Sequence, residues 1–254
     1  MSNYMITFSP TGGTGKVAAI LAHSFDGDFT SVDLLERFAD FGGLRFGPED
    51  LCIVAVPSYG GRVPALAVSR LAQMEGNGAR ASLVAVYGNR AFEDTLVELK
   101  DTLRARGFRC AAAVAAVAEH SIMRQFAAGR PDAEDEKALA GFAKQIQRVL
   151  AESPDAADVP VPGNRPYREY NGVPMRPKAD KNCVKCGLCA LKCPAGAIPA
   201  EDPTQTEESR CISCMRCIAV CPSHARKNNK LLVAAAVQKL KKTCEGRKEN
   251  ELFC

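Results

Sequence analysis

The sequence lacks a long hydrophobic run and the usual features of an export signal. Its longest apolar run, residues 110–118, has about half the length of a membrane-spanning helix, and no basic residues precede the short apolar stretch near the start. We therefore expect a cytoplasmic chain without a membrane span. The sequence also has no evident Ser-His-Asp or paired-carboxylate arrangement. A composition of 46% hydrophobic residues excludes a disordered or fibrous chain.

Cysteine, in contrast, is abundant. The chain has twelve cysteines, and eight of them fall in two runs, CVKCGLCALKCP from residue 183 and CISCMRCIAVCP from residue 211. Secreted domains rich in disulfides also carry many cysteines, but without an export signal we favour metal binding. Both runs have the spacing C-x2-C-x2-C-x3-C-P, which is typical of bacterial ferredoxins with two 4Fe-4S clusters.

The fourth cysteine of each run is expected to bind the cluster of the other run, because the proline after it turns the cysteine away. One predicted cluster has the ligands Cys183, Cys186, Cys189 and Cys221. The second has the ligands Cys211, Cys214, Cys217 and Cys193. Zinc is the alternative, but zinc ribbons pair two C-x2-C motifs and need no third and fourth cysteine in each run.

The net charge of +4 raises the possibility of a nucleic-acid partner. Eight thiolates on two oxidised clusters add a net charge of about −4, so the loaded protein is roughly neutral. We therefore predict no nucleic-acid binding.

Short apolar runs alternate with helical patterns over the first 150 residues. The predicted strands are residues 4–8, 29–35, 51–57, 82–88 and 108–117. Nearly continuous apolar strands separated by amphipathic helices are typical of a parallel sheet that is covered on both faces. We therefore predict a doubly wound α/β domain with a five-stranded parallel sheet.

The stretch FSPTGGTGKVA, residues 8–18, follows the first strand and has the composition of a phosphate-binding loop. An ATP-binding P-loop is excluded, because Pro10 and Val17 replace a required glycine and a required hydroxyl residue. A dinucleotide fingerprint fits weakly through Gly13, Gly15 and Ala18, with Asp33 further along. The interleaved hydroxyl and glycine residues favour a terminal phosphate dianion at a helix N-terminus, such as that of FMN.

Two further loops follow the third and fourth strands. They are PSYGGRVPA, residues 57–65, and YGNRAFED, residues 87–94. In a doubly wound sheet both loops open on the same edge as the first loop. Tyr59, and also Tyr87, is suited to stack on an aromatic ring. His120, in the loop after the fifth strand, is a weaker candidate for the same edge.

These three loops resemble the FMN site of the flavodoxin family, and the resemblance covers residues 3–150. It implies a sheet of strand order 2-1-3-4-5. It also implies that the first loop holds the FMN phosphate through Ser9, Thr11, Gly12, Gly13 and Thr14. The ring system is expected between two groups of residues: Pro57, Ser58, Tyr59, Gly60 and Gly61 on one side, and Tyr87, Gly88, Asn89 and Arg90 on the other. Lys16, Arg62 and Arg90 depart from the acidic surroundings of typical flavodoxins.

The complete arrangement resembles the flavodoxin-ferredoxin fusion proteins of anaerobes. We expect a flavodoxin-like domain at 1–152, a linker at 153–175, a small α+β two-cluster ferredoxin domain at 176–227, and an amphipathic helix with a tail at 228–254. The linker is predicted to be extended, with Tyr167 and Tyr170 either packed on a domain surface or mobile.

The resemblance implies an iron-sulfur flavoprotein that transfers electrons between two 4Fe-4S clusters and FMN. Two versions of this function are an electron carrier and a flavin-dependent reductase. The alternatives are a redox-responsive partner-binding protein and a nicotinamide-linked oxidoreductase whose first domain binds a dinucleotide. The expected partner is a redox protein or a small-molecule electron acceptor, and a homo-oligomer is possible.

Overall fold

The computed structural model describes residues 2–152 and 158–254, and its first part is built on one sheet. The parallel strands are β1 (Asn3–Thr7), β2 (Phe29–Asp33), β3 (Leu51–Pro57), β4 (Arg80–Tyr87) and β5 (Arg109–Val117). They lie in the order β2-β1-β3-β4-β5, so the predicted fold class and strand order are confirmed. This is the flavodoxin-like arrangement of a doubly wound sheet.

Helices cover both faces of the sheet. They are α1 (Gly13–His23), α2 (Ala65–Leu71), α3 (Thr95–Arg104) and α4 (Ala133–Glu152). One core lies beneath α1 and α4, and the other lies beneath α2 and α3. The alanine- and valine-rich strands are buried on both sides, which explains why their sequences are apolar without alternation.

The prediction of five strands was one short. The end of the chain returns to the sheet as a sixth strand, Glu251–Phe253, which pairs antiparallel with β5. Asn250 fixes this return, because its side-chain oxygen accepts a hydrogen bond from the Val117 N–H at 2.9 Å and its amide donates to Asp135 at 2.9 Å. Three residues carry too little pattern to predict a strand from sequence.

The segment after α4 lies along α3. Residues 153–157, the start of the predicted linker, lie outside the described residues. Val159 is buried, and its carbonyl accepts a hydrogen bond from Lys100 at 2.6 Å. Further along, the hydroxyl of Tyr167 donates to Asp101 at 2.5 Å, and the Arg168 N–H donates to Asp94 at 2.8 Å. The described part of the linker is therefore packed on the first domain.

The cysteine-rich part is small and contains little regular structure. Its elements, numbered on from the first five strands and four helices, are β6 (Lys178–Ala179), α5 (Leu188–Leu191), α6 (Arg216–Ala219) and β7 (Arg226–Lys227), with β6 and β7 paired antiparallel. The helix α7 (Lys230–Cys244) then packs its apolar side against Met123 and Phe126. Glu251–Phe253 is β8. Among the described residues, no helix is both long and apolar enough to cross a membrane.

Candidate functional site

A large cavity lies at the carboxyl edge of the sheet, where the three predicted loops meet. With its mouth included, it encloses about 1050 Å³. Its walls come from four loops of the first part of the chain, from the linker, from the second cysteine run and from α7. Of the predicted cofactor residues, the following line it: Thr11, Gly13, Thr14, Pro57, Ser58, Tyr59, Gly60, Tyr87, Gly88 and Arg90.

In the first loop, the residues divide into those that shape the turn and those that face the cavity. The Ser9 hydroxyl accepts a hydrogen bond from the Gly15 N–H at 2.8 Å. Gly12 precedes α1 with a φ of 95°, a conformation that favours glycine. Thr11 and Thr14 then bring hydroxyls to the cavity beside the first turn of α1, whose N–H groups lack partners within the helix. This donor set suits a phosphate.

The second loop packs against the linker. Tyr170 lies so close to Gly60 that a Cβ there would come within 2.3 Å of the tyrosine ring. Gly61 is not part of the cavity wall, and its carbonyl accepts a hydrogen bond from the Asp94 N–H at 3.0 Å. Arg62 also points away, because its guanidinium donates twice to the Glu98 carboxylate at 2.7 Å. Arg62 therefore adds no positive charge to the cavity wall.

In the third loop, neighbouring residues have different roles. The Asn89 side chain lies outside the cavity, where its amide donates to the carbonyls of Cys244 and Gly246 at 2.7 and 2.8 Å. Asn89 thus holds the end of α7 beside the loop. Arg90 does line the cavity, and it forms an ion pair with Glu93. Burial lowers the pKa of Arg90, which nevertheless stays charged near neutral pH.

Several cavity residues were absent from the predicted site. They are Ala91 and Val86 beside the third loop, residues 118, 119 and 121–123 after β5, Tyr170, Val173 and Met175 of the linker, Ser213 of the second cysteine run, and Ala236 and Leu240 of α7. His120, the weaker candidate, also lines the cavity. The apolar stripe of α7 indicates that this helix packs against another part of the chain, but it does not indicate where. No local signal assigns Ser213 to this cavity, because its neighbours in sequence are predicted cluster ligands.

Tyr59 connects the cavity with the second cysteine run. Burial raises the pKa of its phenol well above the usual value, and the proximity of Cys214, Tyr170 and Cys211 raises it further. The ring therefore has a neutral hydroxyl and lies next to two predicted cluster ligands. The Arg216 side chain makes a second connection, since it donates to the Pro10 carbonyl in the phosphate loop at 3.2 Å.

The first predicted ligand set comes together in a separate pocket. Cys183, Cys186 and Cys189 line it together with Cys221 from the second run, as the crossed assignment requires. Cys186 is exposed, and Val184 beside it keeps 68% of its surface exposed. Within the described residues, none from this pocket lines the large cavity. The first set thus reaches the surface of the molecule at Cys186, whereas Cys189 is buried.

The second predicted ligand set is more deeply buried. Burial raises the thiol pKa values of Cys214 and Cys217 to about 12, and the electrostatic neighbours of Cys217 include Cys214, Cys211 and Cys193. Cys193 and Cys211 also belong to the same small hydrophobic cluster. The four thiols of the second set are therefore close to one another. Because burial keeps the thiols of Cys214 and Cys217 neutral in the metal-free chain, iron binding must release their protons.

The cysteines do not form a site for one metal ion. Within residues 2–152 and 158–254, no three His, Cys, Asp or Glu side chains converge closely enough to hold a single ion. A zinc site would require such convergence, with Zn–S distances of about 2.3 Å. In a 4Fe-4S cubane each thiolate binds a different iron atom, so the ligands stay further apart. Cys183, Cys186, Cys189 and Cys221 line one pocket, and this arrangement suits a cluster.

Comparison with known sequences identifies the cysteine-rich part. Residues 182–225 match the family described as the 4Fe-4S dicluster domain. A segment of 55 residues is 33% identical to one of the subunits of the ion-translocating oxidoreductase complex of Methanosarcina acetivorans. The matched segment spans 21% of this chain and 21% of that relative, so most of the relative has no counterpart in the alignment.

The first part of the chain is similar to solved flavodoxins. The Streptococcus pneumoniae TIGR4 flavodoxin is 19% identical, with a TM-score of 0.42, and the match covers 58% of this chain and 99% of that protein. Flavodoxin 1 from Bacillus cereus is 15% identical, with a TM-score of 0.43 and coverages of 58% and 98%. These similarities are low, so the fold assignment rests on the strand order.

The strand order and the family match together define the class of the protein. It is a fusion of a flavodoxin-like α/β domain with a ferredoxin-type 4Fe-4S domain. The cavity at the carboxyl edge of the sheet and the second cysteine run share a wall, so the two parts meet at the candidate site.

Proposed function

We propose that this protein transfers electrons between two 4Fe-4S clusters and an FMN held in the large cavity. One observation carries the proposal. Ser213, which lies between the predicted ligands Cys211 and Cys214, lines the same cavity as the three loops that resemble an FMN site. A cluster held by the second ligand set would therefore lie next to the bound flavin. When bound, the clusters supply one-electron and FMN one- or two-electron chemistry.

The chain supplies binding and positioning in this proposal. The hydroxyls of Thr11 and Thr14 and the start of α1 hold the phosphate. Tyr59 and Tyr87 border the space for the ring system, and residues of the linker and α7 form another part of its wall. Eight thiolates, in the crossed sets Cys183/Cys186/Cys189/Cys221 and Cys211/Cys214/Cys217/Cys193, hold the iron.

The two ligand sets have different positions and, we propose, different roles. The first set reaches the surface at Cys186, where a redox partner can approach it. The second set adjoins the cavity. Electrons from a partner would therefore enter at the first set and reach the flavin through the second, or flow in reverse. We also propose the domain limits: a flavodoxin-like domain that ends at residue 152, a linker that ends at residue 175 and a ferredoxin domain that ends at residue 227.

The cavity walls favour an electron carrier over a reductase. Ser213 and α7 residues Ala236 and Leu240 add to the loops that would cover a flavin. An organic substrate would have to share this cavity with FMN. A reductase would instead require an open face of the ring.

The test is anaerobic reconstitution of the full chain with iron and sulfide, followed by separate titrations with FMN and NAD. We expect FMN to bind tightly and NAD to bind weakly, because the hydroxyl-rich loop suits a terminal phosphate. Stopped-flow reduction should then show cluster bleaching before flavin bleaching, at a flavin rate that does not depend on protein concentration. Binding of NAD with no binding of FMN would overturn the proposal.

A further inference from the structure

His120 has an unusual position in the large cavity. It lies in the loop after β5, and its side chain forms part of the cavity wall. Its Nδ1 atom accepts two hydrogen bonds, from the Ile122 and Met123 N–H groups, each at 3.1 Å. The loop therefore wraps around one nitrogen of the imidazole ring.

These two hydrogen bonds determine the tautomer of the ring. A nitrogen that accepts from N–H groups carries no proton, so in the neutral imidazole the proton is on Nε2. Burial lowers the pKa of His120 to about 4, with a smaller contribution from nearby Arg90 in the same direction. The ring is therefore neutral near pH 7, with Nε2–H as its one donor.

The ring is also held in place by packing. Gly88 lies against it, and a Cβ at that position would come within 2.7 Å of His120 atoms. On another side the ring meets Phe126 edge-on, at 6.5 Å between centroids. Among the described residues, Nε2 has no hydrogen-bond partner. A fixed donor in the cavity wall, unpaired within the described chain, is suited to a bound ligand.

We propose that the Nε2–H of His120 is a positioned hydrogen-bond donor to an acceptor atom on the ring system of the bound flavin. The inference rests on the proposed function and goes beyond it, because it makes His120 a specificity residue of the cavity. A ligand that covers this N–H without offering an acceptor leaves it unpaired. Gly88 has a matching role, since only glycine leaves room for the imidazole.

The decisive variant is His120→Asn. The Asn side-chain oxygen is in the position of Nδ1, so it can accept from Ile122 and Met123 and keep the loop, whereas the Nε2–H is lost. A neutral hydrogen bond contributes about 0.5–1.5 kcal/mol, and we therefore expect FMN affinity to fall by about 2- to 12-fold. The visible flavin band should shift as well. The control is His23→Asn, at an exposed histidine in the last turn of α1.

A second variant, His120→Gln, separates the donor from the loop contact. Its side-chain N–H can reach the position of Nε2, so affinity and spectrum should recover toward the wild type. Unfolding midpoints and iron content of all variants identify any general loss of structure. If His120→Asn folds and binds FMN with unchanged affinity and spectrum, the inference is wrong. If it does not fold, the Gln variant decides: near-wild-type binding supports the donor, and loss of binding contradicts it. Failure of the wild type to bind FMN would instead overturn the proposed function.

Discussion

The two cysteine runs have the same spacing and nearly the same backbone, but they have different surroundings. Two positions in each run and one just after it have positive φ at an offset of 28 residues, with these matched values: Lys185 at 53° and Ser213 at 55°, Gly187 at 74° and Met215 at 63°, and Gly196 at 58° and His224 at 51°. In both runs the fourth cysteine accepts an N–H bond from the residue four positions later, at 3.3 Å. The repeat is therefore structural as well as sequential.

The environments of the runs differ because only one of them meets the flavodoxin-like domain at its cavity. Cys186 of the first run is exposed, whereas Cys214, its counterpart in the second run, is buried. Met215 of the second run also has a positive φ, at the position where the first run has Gly187. The two runs thus have the same ligand chemistry but different environments, because they pack against different parts of the molecule. Four predictions test this difference.

The largest expected effect comes from removing one ligand in each run. In Cys217→Ser, electron delivery to the flavin within the molecule should stop, because the set beside the cavity is damaged. In Cys186→Ser, which removes a ligand of the first set, the second set is intact, so small-molecule reductants should still reduce the flavin through it. Anaerobic stopped flow, with iron and FMN content measured for each variant, makes the comparison. Equal flavin rates in the two variants would contradict the proposed asymmetry.

The crossed assignment predicts which cluster is lost when a fourth cysteine is changed. Cys193→Ser should damage the cluster of the second run, and Cys221→Ser the cluster of the first. Each variant is expected to retain about four of about eight iron atoms. Low-temperature EPR of the reduced variants distinguishes the clusters: the spectrum of Cys193→Ser should resemble that of Cys217→Ser. The control is Cys254→Ser, since Cys254 is exposed and belongs to neither run. Resemblance of Cys193→Ser to Cys186→Ser would refute the crossing.

Arg70 holds Pro194 against the first domain. Pro194 directly follows Cys193, the fourth cysteine of the first run. Its buried guanidinium donates to the Pro194 carbonyl at 2.9 Å and to the Leu34 carbonyl. Arg70→Met removes both donors and leaves two carbonyls without them, so we expect a loss of about 2 kcal/mol or more in the free energy of unfolding. Urea denaturation of the anaerobically loaded protein measures this loss. A change below about 0.5 kcal/mol would mean that water or a neighbouring group replaces the guanidinium.

The smallest effect is expected at Lys192, two residues before Pro194. Its ammonium group lies 3.5 Å from Glu36, and both side chains are substantially exposed. Exposed ion pairs contribute about 0–1 kcal/mol, so Lys192→Ala should unfold at nearly the same urea concentration as the wild type. It is also the natural control for Arg70→Met. A loss as large as that of Arg70→Met would show that the exposed ion pair contributes as much to stability as the buried guanidinium.

The sequence was sufficient where the pattern is local. Uninterrupted apolar strands predicted a parallel sheet, and the strand order agrees with the flavodoxin resemblance. The loop hydroxyls led to Thr11 and Thr14, which line the cavity. The return of residues 251–253 to β5 was missed, because three residues are too few to show the alternation that is typical of a strand.

Contacts between distant parts of the chain were beyond such reading. Asn89 belongs to a predicted flavin loop, yet its amide donates to two carbonyls at the end of α7 and just after it. Ser213 and Leu240 reach the cavity although they lie more than 100 residues beyond the last of the three predicted loops. The sequence around Ser213 or Leu240 does not indicate which residues each of them contacts. These contacts arise only when the sheet, the linker and α7 are packed together.

The sequence by itself determined the chemistry of this protein: eight thiolates at cluster spacing and a hydroxyl-rich loop after a strand. Such features follow from residue type and short spacing, both of which are visible in the sequence. Only the tertiary structure decided which ligand set adjoins the cavity, that His120 presents Nε2–H, and that Arg62 does not reach the cavity. The physical reason is that proximity across more than 100 residues is set by the packing of whole elements, to which each residue adds only a small part of the free energy.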